Sequence, residues 1–417
     1  MWDDGFGFRP YWFPLEDTNE FFAGILGIAD PWTVAGVERD EAGGQGVLEV
    51  EFDRSRAGDL RGLLHGYVDR EWRHLDTCQY RTVIRARVPR VKRPDGTTAE
   101  VEVPWADRFS RVTRLLEARA LEVLGEARSH SSAARLLGMG EGQLDRIMAR
   151  AVERGLARRE EEAIAHVGMD EKAARRGYRY VTVATDIGRG VVVDLVEGRD
   201  GEAASSAWKC LSPRQRDSVE AVAMDMWPAY MKAAEIRVPD ADAVHDRFHV
   251  AKHPGEAVDA VRKAGHRALM KQGDDTLKGM KYSFLRRFDD LRRAPASFNA
   301  VRRSALSTAK AWAYKESFDR FWSYVSLPWA EKFFQSWFRS AIHTKLEPVK
   351  KVARMLKKHL PGLPAYVRHR ITNATAEGIN AKIQMLKSNA RGLPKFRTLR
   401  IRVLFHCGGL DLSPHTI

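Results

Sequence analysis

Ala163-Ile-Ala-His-Val-Gly-Met-Asp170 is an apolar run that ends in a carboxylate, and Val219-Glu-Ala-Val-Ala-Met-Asp225 repeats the design. Each reads as a buried strand with an acid at its C-terminal end. In open α/β sheets, ligands bind at that end of the strands. Between the two runs lie Tyr178-Arg-Tyr-Val-Thr-Val-Ala-Thr-Asp186 and Val191-Val-Val-Asp-Leu-Val-Glu197, joined by Ile187-Gly-Arg-Gly190. They read as a β-hairpin. A helical segment follows around residues 203–209, before the Asp225 strand. A helix from Pro228 to Glu235 and a strand Ala241-Asp-Ala-Val-His-Asp246 come after it.

The resulting order, β-β-β-α-β-α-β, is that of an RNase H-like domain. In that arrangement the first and fourth strands lie side by side, which would bring Asp170 and Asp225 together. A third acid, Glu377, sits in Ile371-Thr-Asn-Ala-Thr-Ala-Glu-Gly-Ile-Asn380, which opens a polar-faced helix. Glu377, Asn380, Gln384 and Lys387 recur at intervals of 3, 4 and 3, so they share one face. Ile379, Ile383 and Leu386 take the other. Carboxylates are hard oxygen ligands of the kind that hold Mg²⁺ beside substrate phosphates. Two such ions, about 3.5–4 Å apart, serve phosphodiester transfer. An isolated Asp after a strand is more often a turn former, and the chain has 55 acidic residues. It is the surrounding sheet that sets these three apart.

Charge points to a nucleic-acid partner. The chain of 417 residues is +14, yet residues 261–410 alone carry +23, so the remainder is net acidic. Lys350, Lys351, Lys357 and Lys358 form one dense cationic run. Arg391, Lys395, Arg397, Arg400 and Arg402 form another. Such runs are usually solvated helix faces, but here they flank Glu377 and dominate the charge of half the chain. Between 280 and 340 the sequence is rich in Phe, Trp and Tyr at helical spacings, which reads as a helical core of large side chains. The sharper alternative is that one or two of these rings stack on DNA.

Residues 131–148, Ser-Ser-Ala-Ala-Arg-Leu-Leu-Gly-Met-Gly-Glu-Gly-Gln-Leu-Asp-Arg-Ile-Met, carry a helix-turn-helix pattern. Small and apolar residues make the first helix, glycines the turn, and Leu144, Ile147 and Met148 the buried side of the second. Arg146 and Arg150 are expected to face out towards DNA. Asp246 and His249 follow a strand and open a helix, where Asp246 can act as a cap. Asn380, Lys387 and Arg391 are expected to contact phosphate or base edges.

Ordered motifs along the chain resemble those of the DDE transposases of the ISL3 family of bacterial insertion sequences. They are Leu26-Gly-Ile-Ala-Asp-Pro-Trp32, Trp72-Arg-His-Leu-Asp76, Arg87-Val-Pro-Arg90, Val103-Pro-Trp-Ala106, Val167-Gly-Met-Asp-Glu171, Met224-Asp-Met226, Asp246-Arg-Phe-His-Val250, Leu346-Glu-Pro348, and Thr372-Asn with Glu377, Asn380, Lys387 and Ala390-Arg-Gly392. The resemblance implies that Asp170, Asp225 and Glu377 are the catalytic and metal-binding acids, with Mg²⁺ as the ion and Mn²⁺ able to substitute. It implies a helical insertion between the second and third acids, and Asp246 and His249 as supporting residues. It implies cleavage at transposon ends and strand transfer into target DNA. The partners would be double-stranded DNA, with terminal inverted repeats and target, and a second copy of the chain as a homodimer. Two other readings remain: a transposase-derived DNA-binding regulator without catalysis, and an RNase H-like nuclease without strand transfer.

The amino-terminal part departs from that family's pattern. Relatives carry a cysteine-rich zinc motif around Trp72–Asp76, whereas here Cys78, Cys210 and Cys407 are widely separated. A structural zinc site needs four ligands, and His65, His74 and Cys78 make at most a partial one. The expectation is therefore no zinc, and a small β-rich domain held by Leu48, Val50, Val83, Ile84, Val88, Val101 and Val103. The segments expected are 1–108 (β-rich, resembling a zinc-binding domain that has lost its cysteines), 109–162 (helix-turn-helix and linker), 163–265 (catalytic core, first part), 266–365 (helical insertion) and 366–417 (core, second part, with the Glu377 helix and basic tail). Three cysteines fit a reducing compartment. The start, Met1-Trp-Asp-Asp, lacks the regions of a signal peptide, and no run of about 18 apolar residues occurs. The expected location is the bacterial cytoplasm, at the nucleoid.

Overall fold

The computed structural model describes residues 18–58, 60, 62–175, 179–225, 227–245, 247–290, 296–304, 306–358, 362–371, 374–389 and 395–414. Contacts divide the chain into two units, Met1–Arg158 with Asp411–Ile417, and Arg159–Leu410.

The first unit opens with helix α1 (Thr18–Leu26) and five strands: β1 (Trp32–Asp40), β2 (Gln45–Phe52), β3 (Leu63–Arg73), β4 (Arg81–Lys92) and β5 (Thr98–Glu100). They form one sheet in the order β1-β2-β4-β3, with β5 on β4. Alternation along β2 and β4 buries Leu48, Val50, Ile84 and Val88 in one cluster, with Val101 and Val103 packed partly buried against it, while Val83 is buried outside that cluster. The sequence reading followed the valines and missed three indoles. Trp105 meets Trp32 and Trp72 edge-to-face at 5.2 and 5.5 Å. Indoles bury more area than any valine, so this trio is a large part of the core.

Three helices follow: α2 (Arg114–Glu126), α3 (His130–Leu137) and α4 (Glu141–Arg158). Thr113 caps α2 by accepting from the Leu116 N–H, and Ser129 caps α3 by accepting from the Ser132 N–H. Gly138 closes α3 at φ 57°, the left-handed conformation that glycine adopts without Cβ strain. Leu144, Ile147 and Met148 are buried on α4, and Arg146 is exposed. Arg150 corrects its expectation, because it turns inward. Its guanidinium pairs at 2.6 Å with Glu117, which is 2% exposed and also holds Arg154 at 3.0 Å. Arg154 further donates to the Leu412 carbonyl at 2.9 Å, tying the end of the chain into this unit. Glu117→Ala would strand two part-buried guanidinium groups. We expect a loss of about 3–5 kcal/mol in the unfolding of this unit, measured by denaturant titration; an unchanged midpoint would show the arginines to be solvated.

The second unit holds strands β6 (His166–Arg175), β7 (Arg179–Asp186) and β8 (Val191–Glu197), helices α5 (Gly201–Trp208) and α6 (Pro213–Asp217), strand β9 (Ala221–Met224), helix α7 (Pro228–Arg237) and strand β10 (Asp242–His245). The sheet order is β10-β9-β6-β7-β8. β6 lies parallel to β9, and β9 to β10, while β7 and β8 run antiparallel. The first and fourth strands of this unit are thus neighbours. Two features differ from the sequence reading. β6 does not stop at Asp170 but continues to Arg175, because its polar end pairs along β7. The short helix α6 was not foreseen; a reciprocal capping box between Ser212 and Gln215 starts it.

Helices α8 (Arg247–Met270), α9 (Lys281–Leu285), α10 (Ala296–Arg303), α11 (Ser307–Asp319), α12 (Leu327–Ile342), α13 (Glu347–Lys358), α14 (Gly362–His369), α15 (Ala374–Asn389) and α16 (Phe396–Cys407) complete the unit. α8 is unbroken across 265–266, so the boundary expected there falls inside a helix. Most of the aromatic run is interior: Phe284, Phe298, Phe318 and Phe321 are fully buried among Trp312, Trp322, Phe334 and Trp337. Tyr282, Phe288 and Trp329 are exposed, and the Lys332 ammonium lies 5.0 Å from the Trp329 ring. One face of the sheet buries Val167, Met169, Val222 and Met224 with Trp208 and Tyr230. The other packs Ala221, Ala223 and Val244 against Ala365 and Ile371.

Candidate active site

The parallel register pairs Val167 with Val222 and Met169 with Met224. Asp170 and Asp225 are the next residues on the two neighbouring strands. Side chains alternate along a strand. Met169 and Met224 point into the core with Trp208, so Asp170 and Asp225 belong to the opposite face, the one that receives α14 and Ile371. β9 ends at Met224, and Asp225 starts the loop beyond it. The acid on β6 is held mid-strand, opposite Val183, which makes its backbone the more rigid of the two.

α15 reaches this face. Its apolar side buries Ile379 and Ile383. From its polar side, the Asn380 side-chain N–H donates to Asp170 Oδ2 at 2.7 Å. Lys172 Nζ lies 3.1 Å from the same oxygen. Further along α15, Lys387 donates to the Ala173 carbonyl and, at 3.2 Å, to Gln384 Oε1. Burial and the nearby Lys172 hold the Lys387 pKa below the usual lysine range. Asn380 and Lys387 therefore turn towards β6. Glu377 precedes Asn380 by three residues on the same helix, hence on the same face.

The remaining expected residues divide by position. His249 is on α8, with its side chain outside the described residues, as is that of Glu377. Asp246 and Arg391 lie outside the described residues altogether. α13 buries Val349, Ala353 and Leu356 and exposes Lys351, Lys357 and Lys358. Lys350 pairs with Glu347 at 2.7 Å, and Lys357 lies 4.8 Å from the Phe338 ring. In the second cationic run, Arg400 is part-buried and grips Asp194 of β8 in two bonds, at 2.6 and 2.7 Å.

Three family models cover most of this architecture. Residues 167–403 match a model described as transposase, more than half of the chain. The chain belongs to the ISL3 family of transposases. Residues 101–152 match the helix-turn-helix domain of transposase family ISL3, and residues 60–92 match the zinc-finger of transposases IS204, IS1001, IS1096 and IS1165. Among curated proteins, the chain is similar to the transposase for insertion sequence element IS1001 of Bordetella parapertussis. The two are 29% identical over 357 residues, covering 82% of this chain and 86% of that one. It is also similar to the transposase for IS1557 of Mycobacterium tuberculosis strain CDC 1551 / Oshkosh, 24% identical over 407 residues, with 89% and 91% covered.

The zinc-finger match overturns the expectation of no zinc. That expectation rested on missing Cys-x-x-Cys pairs, whereas the family kinship of β3 and β4 lies in the whole segment. The candidate ligands of this stretch do not converge among the described residues. His74 is buried and bonded through Nδ1 to the Thr113 hydroxyl at 2.9 Å, and Cys78 is exposed. Among the described residues, no helix is long and apolar enough to cross a membrane.

Proposed function

We propose that this family member cleaves DNA at the ends of a mobile element and joins them to target DNA at one site formed by Asp170, Asp225 and Glu377. The second unit is read as an RNase H-like core, interrupted by a helical insertion from α8 to α14. The observation that carries the reading is the Asn380–Asp170 bond beside the Met169–Met224 register. That bond supports the reading because Glu377 stands three residues before Asn380 on α15.

These are hard oxygen donors, and Asp170 already pairs with a cation, Lys172. The set suits hard divalent ions, which would activate the attacking oxygen and offset charge on the leaving one. Asp170 and Asp225 would share the ions, and Glu377 would complete the set. Asn380 orients the Asp170 carboxylate, and Lys172 neutralises it while the site is empty of substrate. In the first step the oxygen of water attacks phosphorus and leaves a 3′-hydroxyl on the element. In the second, that hydroxyl attacks a target phosphodiester, forms a bond to the target 5′-phosphate and displaces the target's 3′-oxygen as a hydroxyl. Two ends must be held together, so we read the working form as a homodimer on inverted repeats. The helix-turn-helix, with Arg146 outermost, would contribute sequence preference.

A strand-transfer assay with labelled terminal DNA tests this. The protein should release a nicked end and then a joined product. Nicking without joining would identify a nuclease, and binding without either a regulator. In the same assay Asn380→Ala should slow cleavage by about 10–100-fold, the usual cost of removing the partner that orients a metal ligand, with DNA affinity retained. An undiminished rate would remove Asn380 from its positioning role.

A further inference from the structure

At the opposite end of the same strands, three side chains far apart in sequence meet. His166 opens β6, Glu220 immediately precedes β9, and His369 ends α14. One ring nitrogen or carboxylate oxygen from each lies within 4.8 Å of the others. The two imidazoles stand edge-to-face, with ring centroids 5.8 Å apart. Asp242, the first residue of β10, accepts a hydrogen bond from His369 Nε2–H at 2.8 Å and also pairs with Arg368.

Asp242 explains the position of His369 by itself. It does not explain why His166 and Glu220 converge on the same point. With Nε2–H given to a carboxylate, the His369 lone pair sits on Nδ1. A carboxylate behind a histidine fixes the tautomer and raises the basicity of the ligating nitrogen, as is usual behind metal-bound imidazoles. Two imidazoles and one carboxylate with a position left over form a donor set for a borderline transition ion such as Zn²⁺, with bonds of about 2.0–2.2 Å. Modest side-chain rotations from the present spacing would bring all three to one ion. The backbone needs no change, because the Ile187 N–H already donates to the His166 carbonyl at 3.0 Å, and the Asp242 N–H to the Glu220 carbonyl at 2.9 Å.

We propose that His166, Glu220 and His369 bind one zinc-class divalent ion, with Asp242 orienting His369. The site lies on the sheet four residues upstream of Asp170, roughly 13 Å along the strand at about 3.3 Å per residue. It staples the end of α14 to β6 and β9, eight residues before Glu377 on the chain. Its effect is structural: the ion would hold the return of the chain towards α15. The proposal stands apart from the reading of Asp170, Asp225 and Glu377, and from the zinc-finger segment at residues 60–92.

The test uses the full-length protein, stripped by chelator and reloaded with Zn²⁺ or Co²⁺. Bound metal per chain is counted by elemental analysis, affinity is read by competition with a chromophoric chelator, and fold is followed by circular dichroism. His166→Gln and His369→Gln should each lose one equivalent that Cys78→Ser keeps. Asp242→Asn should weaken that equivalent by about 10–100-fold. Its Co²⁺ spectrum should lack thiolate charge-transfer bands. Glu220 is exposed, so Glu220→Gln keeps the fold even if the histidine variants do not, and should weaken binding at least about tenfold. The proposal is overturned if the reloaded protein holds no such equivalent. It is equally overturned if Glu220→Gln binds as tightly as the unaltered chain, or if folded histidine variants keep their metal.

Discussion

Asp170→Ala, Asp225→Ala and Glu377→Ala proteins should each lose cleavage of terminal DNA by about a thousandfold or more. Ion-assisted charge stabilisation is worth several kcal/mol, and each 1.36 kcal/mol is about tenfold in rate. Binding of the same DNA should persist, because the cationic surface of α13 is untouched. Each variant should also fold. Asp170 is only part-buried, and its removal leaves Asn380 and Lys172 free to meet water. Gel-shift and nicking assays on the same preparations separate the two effects. Full cleavage by the Glu377→Ala protein would take that residue out of the site.

The second large effect concerns salt. α13 buries one side and presents Lys351, Lys357 and Lys358 on the other. Each phosphate neutralised contributes about 0.9 to the slope of log affinity against log salt. Reversing these three lysines to Glu should therefore weaken binding to every duplex and flatten the slope by about 3 units. Lys350, already paired with Glu347, should add least when reversed. Fluorescence anisotropy on specific and random duplexes over a salt series reads this directly. An unchanged slope would move the DNA path away from α13.

The candidate site was legible because its signals are local. An apolar run ending in Asp, used twice, reads as a strand pair, and the 3-4-3 spacing after Glu377 defines a helix face without any tertiary knowledge. What stayed hidden depends on partners distant in the chain. Arg150 has the spacing of an outward residue, and only the burial of Glu117 on α2 draws it in. The continuation of β6 through Glu171-Lys-Ala-Ala-Arg175 has no strand pattern of its own and exists because β7 pairs with it. Trp32, Trp72 and Trp105 come from three separate segments, so no periodicity joins them. The zinc-finger segment misled for the opposite reason, since the cysteines were taken as its signature while the likeness to its family runs through the whole stretch. His166, Glu220 and His369 have no spacing that a sequence pattern could catch.

On the proposed reading, the carboxylate of Asp225 binds a divalent ion needed for cleavage. Mg²⁺ demands oxygen ligands, while a thiolate accepts softer ions. Cleavage of labelled terminal DNA by the Asp225→Cys protein, measured in Mg²⁺ and then in Mn²⁺, tests it most directly. The account predicts no cleavage in Mg²⁺ and recovery in Mn²⁺. Undiminished cleavage in Mg²⁺ would contradict it.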